Sequence, residues 1–149
     1  MILEMILLTC AGLLLLYAAW FDFKNKLVEY WVVVVLLVLG LIYLCFCQDI
    51  VETLAVLFFT VFIWGLPTFF GFGFGDFLLF VGLSFFIPDV GSMWLFYGVF
   101  LVIWIVWTFV FFVNEREKLS LRRMCSHEYP LVPVIMISFY VWIGLGGIV

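Results

Sequence analysis

Two aspartates, Asp22 and Asp76, stand at the edges of long apolar runs in a chain that carries little charge. A carboxylate at an apolar boundary is desolvated at a cost, which makes it a candidate for function. Two carboxylates brought together can hydrolyse an amide with water alone. The ionised one takes a proton from the attacking water, and the protonated one donates a hydrogen bond to the scissile carbonyl. Close carboxylates resist double ionisation, so the pair shares a proton and its apparent pKa values belong to both. Neither position is marked as the base. The segment Gly71-Phe72-Gly73-Phe74-Gly75-Asp76 adds glycines, which let a backbone turn tightly and approach a bound ligand. Gly71 and Gly75 equally fit a small-xxx-small packing surface between helices.

The elements that must carry these residues are helices in a membrane. Of 149 residues, 69% are hydrophobic and 11% charged, and the mean hydropathy of +1.40 excludes a water-soluble core. A crossing takes about 20 apolar residues, so the length accommodates about six spans in a single domain covering 1–149. The runs are Ile2–Trp20, Tyr30–Cys47, Leu54–Phe70, Phe77–Ile87, Met93–Val113 and Leu131–Ile148. Backbone polar groups cannot stay unpaired in hydrocarbon, and no alternating polar face marks a barrel, so the fold class is all-α, a polytopic membrane helix bundle. The fourth run is short for a crossing and is expected to extend back through the glycines or to cross a thin site. The first run has Glu4 before it and no small-residue cleavage site after it, so it is expected to stay as a helix.

All six basic residues, Lys24, Lys26, Arg116, Lys118, Arg122 and Arg123, fall in the first and fifth connections. Glu4, Asp49, Glu52 and Asp89 fall on the opposite side without a positive partner. The positive-inside rule then makes the first, third and fifth connections cytoplasmic and both termini external. Asp22 and Asp76 share the cytoplasmic side. Acids favour helix N-termini, so Asp76 has a bland explanation, whereas Asp22 sits at a helix C-terminus where negative charge is disfavoured.

The remaining polar residues carry less. Cys10, Cys45, Cys47 and Cys125 have no zinc or disulfide spacing, and His127 is the single histidine, so no metal site is expected. The loop Asn114–Tyr129 fits topology determination and contact with anionic headgroups. Trp20, Trp31 and Trp94 are expected as interface anchors, and Trp64, Trp104 and Trp107 as packing or lipid-facing groups. Nothing points to a cofactor or to nucleic acid.

Gly73-Phe74-Gly75-Asp76 resembles the Gly-x-Gly-Asp signature of the membrane aspartyl peptidases. Asp22-Phe23-Lys24-Asn25-Lys26-Leu27-Val28 resembles the first-aspartate motif of the type IV prepilin and preflagellin (archaellin) peptidases. Tyr129-Pro130-Leu131-Val132-Pro133 resembles the Pro-x-x-Pro-like element that opens the last span of many relatives. The resemblance covers nearly the whole chain in the same order. It departs at Glu29, where many relatives have Pro, and at Leu78, where many have Lys, which argues against a standard bacterial enzyme. The cysteine-bearing insertion of the large N-methylating members is also missing. The chain is similar to the small, peptidase-only form found among archaea.

The resemblance implies Asp22 and Asp76 as the catalytic pair, with Gly73, Gly75, Lys24, Lys26, Pro130 and Pro133 as supporting positions. It implies an aspartic endopeptidase in the cytoplasmic membrane, without N-methyltransferase activity. The expected partners are membrane lipid and a pilin or archaellin precursor, whose short basic leader would be removed at the cytoplasmic face. Glu29 is a candidate for steering that leader, against the plainer reading of a solvated acid in a first helical turn. Two other readings are open. A presenilin-like or signal-peptide-peptidase-like protease is disfavoured by the short chain, by the position of Asp22 and by Pro130-Leu131-Val132 in place of Pro-Ala-Leu. A non-catalytic transporter or scaffold would use its aspartates for ions or protons.

Overall fold

A computed structural model describes residues 2–25, 27–69, 73–114 and 130–146. These residues form six helices: α1 (Ile2–Asn25), α2 (Tyr30–Cys47), α3 (Ile50–Phe69), α4 (Phe74–Ser84), α5 (Val90–Asn114) and α6 (Val132–Gly144). The fold is all-α among the described residues. Three stretches, Ile2–Asn25, Tyr30–Cys47 and Val90–Val110, are long and apolar enough to cross a membrane, and the other three helices are shorter apolar ones.

The helix ends differ from the apolar runs for local reasons. α1 continues past Trp20 to Asn25, because Asp22 and Lys24 end an apolar run without interrupting the backbone ladder. Asp22 therefore lies inside the last turns of α1. α3 starts earlier than Leu54 because Asp49 caps it: its Oδ1 accepts the Val51 N–H at 2.7 Å, and its carbonyl accepts that of Thr53 at 3.1 Å. Asp89 does the same for α5, accepting the Ser92 N–H at 2.9 Å and the Ser92 hydroxyl at 2.8 Å. α4 has 11 residues and begins at Phe74, taking in Gly75 and Asp76. α6 ends at Gly144, short of Ile148, because Gly146 turns the chain at φ 84°.

Around the bundle α1 packs on α2 and α6, α2 on α4, α4 on α3, α3 on α5, and α5 on α6. The circuit closes. Small residues bring the helices close. A Cβ on Gly12 would lie 2.7 Å from the Tyr140 hydroxyl oxygen, and one on Gly40 would lie 2.7 Å from Phe85 Cβ. At the centre Trp64 stacks on Phe80 with ring centroids 4.1 Å apart, and Phe100 meets Phe80 edge-on at 5.1 Å. The Tyr97 hydroxyl donates to Thr60 Oγ1 at 2.8 Å inside this core.

Tyr43 of α2 donates to Glu4 of α1 at 3.2 Å, Tyr43 meets Phe86 beyond α4 at 5.2 Å, and the Trp142 indole of α6 donates to the Ser92 carbonyl at 3.1 Å. Glu4, Tyr43, Asp89, Ser92 and Trp142 thus mark one end of the bundle. Asp22, the start of α2, the start of α4 and the start of α6 meet at the other.

Candidate functional site

The inward face of α1 reads Leu7, Leu8, Ala11, Gly12, Leu15, Ala18, Ala19 and then Asp22. The spacing of three and four residues is that of one helical stripe, so a carboxylate occupies the next core position of an apolar seam. Asp22 is 5% exposed. Such burial requires compensation, and part of it comes from α6, where the Val132 backbone N–H donates to Asp22 Oδ2 at 3.0 Å. The start of α6 explains why that donor is available. Pro133 sits in the first turn of α6 and contributes no N–H, while the Val134 and Ile135 amides turn back to the Leu131 carbonyl at 3.0 and 3.1 Å. Val132 has no carbonyl in its own helix to reach, as expected of a first-turn donor. Pro130 and Pro133 are both buried.

Asp76 is the third residue of α4, in a first turn that begins at Gly73 and closes through Phe77 N–H to the Gly73 carbonyl at 3.2 Å. The helix N-terminus favours its negative charge. It is half-buried and takes no hydrogen bond among the described residues. Val28, which closes the segment begun by Asp22, packs on Gly75 beside Asp76, so the fold sets the two carboxyls, 54 positions apart (76 − 22), at the same end of the bundle.

The two glycines of the motif play different parts. Gly73 has φ −61° and ψ 128°, a conformation open to any residue, so the expectation of a glycine-dependent tight turn does not hold there. Gly75 leaves room at a tight contact. A Cβ on it would lie 3.0 Å from Val28 Cβ and 3.3 Å from Val28 Cγ2. Val28 closes the first-aspartate segment, so this contact seats the end of that segment on the start of α4. Its apolar type was visible in the sequence, but its partner was not.

Of the two supporting lysines, Lys24 is described and is exposed. Lys24, in the last turn of α1, holds its Nζ 5.5 Å from the centroid of the Trp20 ring. Lys26, Cys125, His127 and nearly all of the Asn114–Tyr129 loop lie outside the described residues. Glu29, the residue before α2, is half-buried and held by aromatic donors. Its Oε2 accepts the Tyr17 hydroxyl at 2.7 Å and the Trp31 indole N–H at 2.6 Å. The plainer reading of a solvated acid is therefore incomplete. Tyr17 and Trp31 were not marked by sequence as partners of Glu29, since Tyr17 lies 12 residues upstream.

Among the described residues no three His, Cys, Asp or Glu side chains are grouped as metal ligands would be. Chemically, the arrangement offers two carboxyls at one end of the bundle, one anchored by a backbone amide and one at a helix N-terminus. No family model, curated protein or solved structure matches this chain.

Proposed function

We propose that this chain is a membrane aspartyl endopeptidase that removes a short basic leader from a pilin-like or archaellin-like precursor at the cytoplasmic face. The observation that carries the reading is the placement of Asp22, in the last turns of α1, and Asp76, in the first turn of α4, at the same end of the bundle. In the proposed reaction one carboxylate takes a proton from water as the water oxygen bonds to the scissile carbonyl carbon. The partner carboxylic acid hydrogen-bonds to the carbonyl oxygen. Collapse of the tetrahedral intermediate breaks the C–N bond, and the departing amine takes a proton from the pair. A substrate with a leader in water and an apolar helix in lipid would bring its junction to this helix end. The clustering of basic residues in the first and fifth connections supports a cytoplasmic placement.

The test is incubation of the detergent-solubilised protein with such a precursor, read as loss of the leader on a gel and by mass spectrometry. Asp22→Asn and Asp76→Asn should each abolish the product while leaving a folded protein, since Asn can still accept from Val132. Cleavage that persists in both variants would falsify the paired-aspartate reading.

A second reading has its own observation. The hydrogen bond from Val132 to Asp22 gives that carboxylate a structural task, tying α1 to α6 in a non-catalytic scaffold or transporter. Under it, Asp22→Asn leaves precursor processing unaffected and alters ion or proton flux or assembly.

A further inference from the structure

Glu29 and the rings around it are built more like a binding site than like a helix boundary. The carboxylate is fixed through Oε2 by the Tyr17 hydroxyl at 2.7 Å and the Trp31 indole at 2.6 Å, so its orientation costs little further entropy when a ligand arrives. The rings form a continuous surface, with centroids 5.2 Å apart for Tyr17 and Trp31 and 6.3 Å for Tyr17 and Trp20. They are open to the surroundings, with Tyr17 37%, Trp20 60% and Trp31 48% exposed. A negative charge among electron-rich ring faces attracts an ammonium or guanidinium group and repels phosphate. The surface already carries one such contact, since Lys24 Nζ rests 5.5 Å from the Trp20 centroid.

The location ties this surface to the aspartates. Tyr17 precedes Asp22 by five positions (22 − 17) on the same helix, about 7.5 Å along its axis and about 140° around it, so the rings lie on the outward side of α1 whose inward side carries Asp22. Glu29 directly follows Val28, whose side chain covers Gly75 beside Asp76.

We infer that Glu29, Tyr17, Trp20 and Trp31 form a cation-recognition subsite that takes a lysine or arginine side chain of the peptide to be cut. The inference rests on the peptidase reading for the identity of its ligand. Glu29 supplies the charge, the rings supply the faces, and the fixed carboxylate sets where the leader's basic residue lies relative to the aspartate pair. Lys24 competes for the same surface, so only a leader that brings its own cation displaces it.

The experiment measures binding and cutting separately. Full-length protein carrying Asp76→Asn, reconstituted in phosphatidylglycerol nanodiscs, is titrated with a fluorescent peptide made of a lysine-bearing leader and an apolar helix. A twin peptide carries norleucine in place of each lysine. Adding Glu29→Gln should weaken the lysine peptide about tenfold and the norleucine peptide less than about twofold, because Gln still accepts from Tyr17 and Trp31 and loses only the charge. Trp20→Leu should weaken the lysine peptide by about threefold. Equal losses for the two peptides, or none, overturn the subsite. Binding of added free choline that is lost on Glu29→Gln, with both peptides bound equally, also overturns it and makes the surface a headgroup site. Product formation by the wild-type protein is scored independently, so absence of cleavage counts against the peptidase reading and leaves the charge-dependent binding result to stand by itself.

Discussion

The two ends of the bundle use aspartate in opposite ways. At the end holding Glu4 and Trp142, Asp89 turns both oxygens onto Ser92, three residues away, and serves as the cap of α5. At the other end, Asp22 reaches across 110 positions to the Val132 amide, and Asp76 stands in the first turn of α4. A local cap lowers the free energy of the element that contains it. Two carboxyls set near one another among apolar helices resist double ionisation, a cost that a local cap does not carry. The contrast separates a carboxylate that serves its own helix from one that joins two helices and one that takes no hydrogen bond among the described residues.

The largest expected effect is on chemistry. Asp22→Asn and Asp76→Asn should each reduce leader removal by at least about a hundredfold, measured as initial rate on the precursor, whereas Asp89→Asn should leave the rate within about twofold because a cap lies outside the reaction.

Stability should divide the two aspartates of the pair. Asp22→Leu leaves the Val132 amide without its acceptor and should cost about 1–3 kcal/mol in reversible unfolding. Asp76→Leu removes a half-buried charge that takes no hydrogen bond among the described residues, and should leave the melting temperature unchanged or higher. A loss from Asp76→Leu as large as that from Asp22→Leu would mean that both carboxyls are structural.

Steric changes sharpen the comparison further. Gly40→Ala pushes a Cβ to 2.7 Å from Phe85 Cβ, an atom that cannot swing aside, and should cost about 1–3 kcal/mol. Gly75→Ala meets Val28 at 3.0 Å and should reduce both stability and cleavage, with Val28→Ala in the same chain restoring most of each. Gly98→Ala, with nothing within 4 Å, should be neutral or stabilising by up to about 1 kcal/mol through helix propensity.

The smallest effect is that of acid on the cap. The Ser92 backbone N–H, then its hydroxyl, hold the Asp89 carboxyl below the ordinary aspartate range. A folded-state value below the unfolded one contributes stability that is complete above about pH 4 and lost as pH falls through the folded value. Because Asp89 is only half-buried, screening by solvent keeps the contribution small. Melting temperatures of wild type and Asp89→Asn should therefore converge as the pH is lowered from 6 toward about 2.

Much of the helical framework was legible in residue order. α2 occupies the apolar run Tyr30–Cys47 without change, since Glu29 and Gln48 bound a stretch with no breaker inside it. The ends of α3, α5 and α6 depart from the apolar runs because such runs mark hydrocarbon, whereas Asp49, Asp89 and Gly146 mark where backbone donors and acceptors are satisfied. Inward faces were harder to read. Helices that are apolar all round give no amphipathic stripe, and Leu13, Val38 and Val102 point outward as freely as Leu15, Leu36 and Phe100 point inward.

By itself the order of residues determined the helical class, the approximate elements and the two acids set among apolar neighbours, because composition and local backbone chemistry act over a few residues. Only the tertiary structure decided that Asp22 fills a core position of α1, that Val132 anchors it, that Val28 packs on Gly75 and that Glu29 belongs with Tyr17 and Trp31. Each of these is a contact between segments whose side chains look alike in sequence, so which of them meet is set by how the helices pack.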